Sequence, residues 1–440
     1  MILTQCPVCA AELPPLSAKQ CSRCKTRYCG ADCQKQHWEQ GGHDKLCRKI
    51  RKGGGAEQYH AYRKYTEAVI VAAEACADDT KGQTCYICTQ ALHWKTKEGL
   101  VRGCACRGTA GFAHVSCLAE QAKILVAESE ENNLDDTQWH RWYKCSLCEQ
   151  DYHGVVSCAL GWACWKTYLG RPETDWTRWC AMQQLGHGLS NAECHEDALS
   201  VQEAELSTLR RIGVPEGQML VAQSNIANTY DLLGRFEEAL SMRQDTYSRW
   251  LKLKGDAHEE TLREATSCAI TLSNLHRYAE AKALLRKMIP VARRVLAESD
   301  DLQFRMRMAC NRALCEDPAK TLDDLREAVS MLEEIEPTAR RVLGGAHPIT
   351  AGIERDLQEA REVLRSRETP LRFKVGDRVK CCVDEGRWAS GTVIELWYTE
   401  DSFAQGFYAP YQVELDEGRL IFAPEDSDAC IRREGAPEAS

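Results

Sequence analysis

The chain of 440 residues has no long apolar run. Its longest, around Val69 to Ala77 and Val155 to Trp165, fall well short of the ~18 residues that cross a bilayer, which excludes a membrane-spanning protein and gives no reason to expect a membrane partner. After the opening MILTQCPVC no basic segment leads into an apolar one, so neither a secretory signal nor a transit peptide is expected. There is no domain-sized basic block, and the formal charge is -9. Phosphate binding draws its affinity from clustered Lys and Arg, so nucleic acid is not an expected partner. The one basic run, Lys45, Arg48, Lys49, Arg51 and Lys52, stands just before Gly53-Gly54-Gly55 and reads as a solvated helix end leading into a flexible linker. No Walker loop, catalytic triad or paired carboxylate site stands out. A SET-like N-H-x-C segment and a cofactor glycine motif are absent too, which argues against a lysine methyltransferase.

What the chain has is cysteine, 25 in all, with 15 in the first 148 residues and 10 in the other 292. An odd and lopsided count argues against a uniform disulfide scaffold. Thiols or metal ligands in a reducing compartment, the cytoplasm or the nucleus, are expected instead. The length suggests about three domains.

The first cysteines keep a fixed rhythm: Cys6-x2-Cys9, Cys21-x2-Cys24, Cys29-x3-Cys33 and His43-x3-Cys47. A C-x2-C step turns the backbone tightly enough for two sulfurs to reach one tetrahedral zinc at about 2.3 Å, and two such steps combine to fill four positions. Eight ligands make two closed sites. So few large apolar groups over some 40 residues could not hold a core without metal. His37 lies outside the eight filled positions. The segment CSRCKTRYCGADCQKQHWEQGGHDKLC resembles the MYND finger down to Tyr28, Gln34 and Trp38. That resemblance implies interleaved sites, Cys6, Cys9, Cys29 and Cys33 in one, Cys21, Cys24, His43 and Cys47 in the other. It also implies a protein-interaction module that grips short, often proline-containing peptides, with Gln34 and Trp38 near the groove. Alternatively, Trp38 packs the small core.

A second array reads Cys85-x2-Cys88, Cys104-x-Cys106, His114-x2-Cys117 and Cys145-x2-Cys148, again seven sulfurs and one imidazole. The ligand order and the string CACRGTAGFAHVSCL resemble the RING-CH variant of the RING finger. By that resemblance Cys85, Cys88, His114 and Cys117 hold one ion, and Cys104, Cys106, Cys145 and Cys148 the other. The chain would then carry four Zn2+, two per module. Such fingers act in ubiquitin transfer by holding a loaded ubiquitin-conjugating enzyme on a shallow apolar groove, of which Ile87 is one piece. The chain departs from the pattern where Gln121 replaces the usual Trp and where CSLCEQD has no proline; Trp139 or Trp142 could supply an aromatic from a shifted position. A finger reused as a binding or folding module stays open beside the ligase.

Beyond residue 154 the rhythm lengthens. Ala227, Tyr230, Gly234, Arg235, Phe236 and Ala239 are followed 42 residues on by Ala269, Leu272, His276, Arg277, Tyr278 and Ala281. This is the helix-turn-helix pattern of a tetratricopeptide repeat, longer than the common ~34 residues. Degenerate copies lie at Ala198-Leu199 and around Cys310 to Leu332. The extra residues lie where Gly255-x2-His258-x2-Thr261 recurs as Gly345, Ala346, His347 and Thr350, with a one-residue ambiguity in the glycine. The longer form resembles the repeats of kinesin light chains. Four or so helix pairs would stack into a short solenoid with a peptide-sized concave face, where Asn225 either reaches a peptide backbone or is simply solvated. His258 and His347 are expected in inter-repeat turns. Cys158, Cys164, Cys180, Cys194, Cys268, Cys310 and Cys315 are expected as small buried groups.

Toward the C-terminus FKVGDRVKCCV, GRWASGTVIELWY, PYQVELD and GRLIFAP alternate apolar and polar residues, as short antiparallel strands do. The V-G-D-x-V and W-x-x-G-x-V strings resemble SH3-like and Tudor-like small barrels. Trp388, Trp397, Tyr398, Phe407, Tyr408, Tyr411 and Phe422 could build a cation-binding cage or serve as barrel core. Cys381 and Cys382 should point to opposite faces.

The expected organisation is thus multidomain and mainly α: a MYND-type finger at 1–50, a linker and connecting helix at 51–79, a RING-CH-type finger at 80–153, tetratricopeptide-like repeats at 154–366, a small β-barrel at 371–433 and a tail at 434–440. Chelation is expected to unfold about the first 150 residues and spare the solenoid of repeats. The expected function is a zinc-binding adaptor that recognises proteins or peptides through its finger and repeats, with weak contacts reinforced on one chain. A ubiquitin ligase of the RING-CH type is the alternative, and a chromatin-associated regulator the second.

Overall fold

A computed structural model describes residues 6–9, 11, 13, 18–134, 138–345, 347–368, 371–384, 387–400, 403 and 408–434. Phe407, Ala346 and residues 435–440 of the tail lie outside them. The chain divides into two compact units, Met1–Trp250 and Leu251–Ser440. No described helix is long and apolar enough to cross a membrane.

The first unit opens with a hairpin of two short strands, β1 (Lys19–Gln20) and β2 (Arg27–Tyr28), followed by helices α1 (Ala31–Glu39) and α2 (His43–Lys52). They share a small core in which Leu13, Tyr28 and Ile50 pack among buried cysteines. Gly53 to Gly55, expected as a flexible linker, form a closed turn instead. Gly54 and Gly55 take positive φ, and the Ala56 amide donates to the Cys24 carbonyl at 2.9 Å.

The turn leads into α3 (Ala56–Ala75), which presents Tyr65, Val69 and Ala72 to a larger core. Within the second cysteine array lie α4 (Val115–Glu131), which carries Cys117, and a single 3-10 turn at Trp139–Trp142. The helices α5 (Gly154–Tyr168), α6 (Trp176–Asn191), α7 (His195–Ile212) and α8 (Glu216–Leu232) follow, and α9 (Phe236–Lys254) runs across the division between the units. α5 is apolar on nearly every side, as a helix must be that is covered all round. Val156, Trp162, Trp165 and Tyr168 of α5 lie in one continuous core with Phe112, Trp142 and the buried cysteines of the array. Gly161 and Gly188 let α5 and α6 meet backbone to backbone. A Cβ on Gly188 would stand 2.7 Å from the Ser157 carbonyl oxygen, and one on Gly161 3.1 Å from the Leu185 Cα.

In the second unit α10 (Glu259–Asn274), α11 (Tyr278–Val295), α12 (Asp301–Glu316), α13 (Leu322–Leu343) and α14 (Pro348–Glu368) pack in sequence. Ala269 and Ala281, the small residues of the repeat pattern, are fully buried. The inter-repeat motif has a mechanical reason. Gly255 takes a positive φ and closes α9, while the Thr261 hydroxyl donates to its carbonyl at 2.7 Å. His258 caps α10, its Nδ1 accepting from the Glu260 amide, and His347 does the same for Ile349 at the start of α14. Gly344, with φ +85°, is the counterpart of Gly255 and resolves the one-residue ambiguity.

The C-terminal strands β3 (Arg378–Asp384), β4 (Arg387–Tyr398), β5 (Ala409–Leu415), β6 (Leu420–Ala423) and β7 (Ile431–Arg433) form one antiparallel sheet in the order β6-β5-β4-β3-β7. Val393 sits opposite Val413 and Cys381 opposite Ala389. Cys381 is buried and Cys382 half-buried, as alternation along β3 requires. Among the described residues no pairing joins β6 to β7. Tyr408, just before β5, is held between two cations of the helices. The Lys320 ammonium lies 4.2 Å and the Arg367 guanidinium 5.0 Å from its ring centre, and Lys320 also meets its hydroxyl. Lys320 is 4% exposed, and burial pulls its pKa down to about 8.

Candidate metal centres

In the first module Cys6 and Cys9 lie on a turn before the hairpin, Cys21 and Cys24 on the turn between β1 and β2, and Cys29 just after β2. Cys33 is on α1, and His43 and Cys47 lie one turn apart on α2. Folding brings them together as Cys6, Cys9, Cys29, Cys33 and as Cys21, Cys24, His43, Cys47, with the ligand atoms of each set within 4.8 Å of one another. Sulfurs bound tetrahedrally at about 2.3 Å stand about 3.8 Å apart. Here Cys9 and Cys29 are 3.4 Å apart, Cys29 and Cys33 3.5 Å, Cys33 and Cys9 3.7 Å, and Cys21 and Cys47 3.8 Å. His43 turns Nε2 toward Cys24 at 3.4 Å. His37 is not among the ligand sets, because its Nδ1 meets the Tyr28 hydroxyl at 3.0 Å.

The second module is built the same way from different elements. Cys85, Cys88, His114 and Cys117 converge where the N-terminus of α4 meets the first knuckle, and Cys104, Cys106, Cys145 and Cys148 converge beside it. His114 stands at the N-terminal boundary of α4 and points Nδ1 at Cys88 and Cys117, at 3.4 and 3.6 Å, with Nε2 toward the Ala91 carbonyl. The amides of Ile87 and Cys88 donate to the Cys85 sulfur, as amides do around a thiolate. Gly111 is required here: its φ is +83°, and a Cβ would meet the Cys106 Cβ at 2.6 Å. Burial holds both His43 and His114 below the usual histidine range, which favours the neutral imidazole a metal needs.

In each module one centre offers four thiolates and the other three thiolates with one imidazole, donor sets that suit zinc. Zinc in a closed site of this kind ties chain segments together and leaves no position for an activated water. Sixteen residues would hold it, and no other group of three or more such side chains meets among the described residues.

The expected partner-binding residues fall out differently. Trp38 is 41% exposed and touches His43 edge-on at 5.8 Å, while Gln34 is half-buried one helical turn away. Ile87 is 38% exposed. Leu147, at the matching place inside Cys145-x2-Cys148, is 51% exposed. The Tyr86 hydroxyl meets Ser146 at 3.1 Å and donates to Gln121, which ties the two knuckles to each other. Sequence reasoning passed over Leu147, although its position mirrors that of Ile87. Trp139 and Trp142 are not shifted surface aromatics. Trp142 is fully buried, and Trp139 packs on Tyr168 and Trp176.

Asn225 on α8 is half-buried beside His187 of α6, with its amide nitrogen buried and unpartnered among the described residues. Cys194 is exposed and Cys180 and Cys315 half-buried, unlike the other helical cysteines; Cys194 stands in the turn before α7. The sheet aromatics are dispersed. Tyr411 is core, Trp388 lies under Arg432, Tyr408 is taken by Lys320 and Arg367, and Tyr398 and Phe422 meet through Phe403.

Closed Cys/His centres joined to a helical array define a zinc-binding protein-interaction adaptor. Residues 6–47 match the family of the MYND finger, and residues 218–294 that of the tetratricopeptide repeat. No curated protein matches the chain. Among solved structures, the nearly identical kinesin-light-chain TPR-like repeats of Podosopora anserina are 17% identical over 45% of this chain and 90% of that one, with a TM-score of 0.38. BtubC (BKLC) from P. vanneervenii is 11% identical over 59% and 94%, at 0.29. A Rap protein complexed with competence and sporulation factor is 13% identical over 57% and 65%, at 0.33.

Proposed function

We propose that the chain is a cytoplasmic or nuclear adaptor, stabilised by four zinc ions, that grips peptide segments with its first module and its helical repeats. The exposed indole of Trp38 carries this reading. A core residue of so small a module would be covered, whereas a flat, exposed face seated on a metal ligand suits a stiff proline-containing peptide with little entropy to lose. Binding of a panel of proline-containing peptides to the zinc-loaded protein tests it. Trp38→Ala should weaken the best binder at least about tenfold, as an aromatic anchor does. Unchanged affinity would remove Trp38 from the interface.

One observation supports a second reading, that the other module is a RING-CH-type finger holding a ubiquitin-conjugating enzyme. Ile87 and Leu147 stand exposed on two knuckles joined through Tyr86 and Ser146, where a shallow apolar platform would need no aromatic at Gln121. Self-ubiquitination with a panel of conjugating enzymes decides between them. The ligase reading expects product that disappears in Ile87→Ala, and the pure adaptor expects none in either protein.

A further inference from the structure

The outer face of α2 carries a charge that the rest of the chain does not explain. Residues 1–55 hold ten Lys and Arg against four Asp and Glu, while the remaining residues hold 46 against 61. Seven thiolates around two Zn2+ would take three charges off that excess and leave it positive. α2 turns His43, Cys47 and Ile50 inward. Lys45, Arg48, Lys49, Arg51 and Lys52 are all exposed on its other sides.

Elsewhere the chain pairs its cations freely: Arg211 with Glu173, Arg277 with Glu280, Arg249 with Glu216 and Asp245. Among the described residues none of the five cations of α2 has an ion pair, although acids outnumber bases in the chain. Lys49, Arg51 and Lys52, in the last turn, favour the helix dipole. Lys45 and Arg48 lie outside that turn, so the dipole does not account for them. Leu46, on the flank of the same helix, is exposed, and so is Trp38, which touches His43.

We propose that this face of α2 binds an acidic segment of a partner protein, so that the peptide taken by the first module has an apolar anchor flanked by Asp or Glu. The inference rests on the peptide-gripping reading of that module and names the chemistry of its ligand. Five of the ten cations of residues 1–55 lie on this one helix, and exposed Leu46 lies on its flank. A polyanion such as nucleic acid would have to run on past them over an acidic chain, whereas a short acidic peptide ends where the basic face ends.

The test uses the full zinc-loaded chain and two synthetic peptides that share the centre PPLLP, one flanked by glutamates and the other by glutamines. By fluorescence anisotropy in about 50 mM salt, the glutamate peptide should bind about tenfold more tightly. That advantage should shrink toward nothing in about 0.5 M salt, where charges are screened within a few ångströms. It should also be absent in the combined Lys45→Gln, Arg48→Gln, Lys49→Gln, Lys52→Gln variant, whose unchanged zinc content shows that the module is folded. Equal binding of the two peptides to the wild type overturns the proposal. So does an advantage that survives in the variant, or tighter binding of a single-stranded oligonucleotide or of anionic vesicles to the same face. Equal binding that is lost in Trp38→Ala leaves the peptide-gripping reading standing, whereas binding of neither peptide removes both.

Discussion

Chelation of zinc is expected to unfold α5 and α6 together with the second module. Cys85, Cys104, Cys117 and Cys145 belong to the same buried core as Trp162, Trp165 and Leu185. The joint itself is tight: the His153 amide donates to the Gly103 carbonyl at 2.8 Å, and a Cβ on Gly103 would stand 2.5 Å from the Val156 Cβ. A structural zinc contributes on the order of 10 kcal/mol of folding free energy, comparable with the whole stability of a domain. With the metal gone, Trp142 and Phe112 lose their framework and α5 loses one wall of its enclosure. Hydrogen exchange followed by mass spectrometry should show α5 and α6 losing protection with Cys85–Cys148, while α10 to α13 keep theirs. Protection of α5 that survives complete metal removal would mean that the core closes without the module.

As pH rises from about 5 to 8, the first unit should lose stability relative to its Glu205→Gln variant. Glu205 on α7 is 1% exposed, one carboxylate oxygen has no hydrogen-bond partner among the described residues, and burial pushes its pKa up to about 8. In the unfolded chain it titrates near 4.3. Between those values the folded state holds a proton that the unfolded state has released, so stability is full below the lower value and is lost toward the upper. The shift corresponds to up to about 5 kcal/mol. Thermal unfolding at pH 5 and pH 8.5 measures it: the wild type should lose several degrees that the glutamine variant keeps. Parallel behaviour of the two proteins would show that Glu205 finds a partner or water in solution.

The ligand clusters were legible because a C-x2-C step is a geometric statement, and the same residues that keep the rhythm are those that converge. The strands were legible from alternation, the repeats from a 42-residue recurrence of Ala and aromatic positions. The joint between the second module and the helices was not. α5, with GVVSCALGWACWKTY, has no polar side to give it a direction, so nothing in its pattern says that one wall is a metal module and another is α6. For the same reason Trp139 and Trp142 read as surface aromatics. The closed turn at Gly53 to Gly55 escaped notice because three glycines in sequence look alike whether they are free or pinned to Cys24. Glu205 was invisible because a glutamate in an amphipathic helix is ordinarily solvated, and its burial depends on which helices cover it.

The seat of Tyr408 between Lys320 and Arg367 bears on what the C-terminal sheet can recognise. The two cations belong to the same polypeptide, so a foreign lysine or arginine seeking that ring competes with ligands whose effective concentration is on the order of millimolar. Tyr408 is in this sense a receptor already filled by its own chain, and the site works as a fastener.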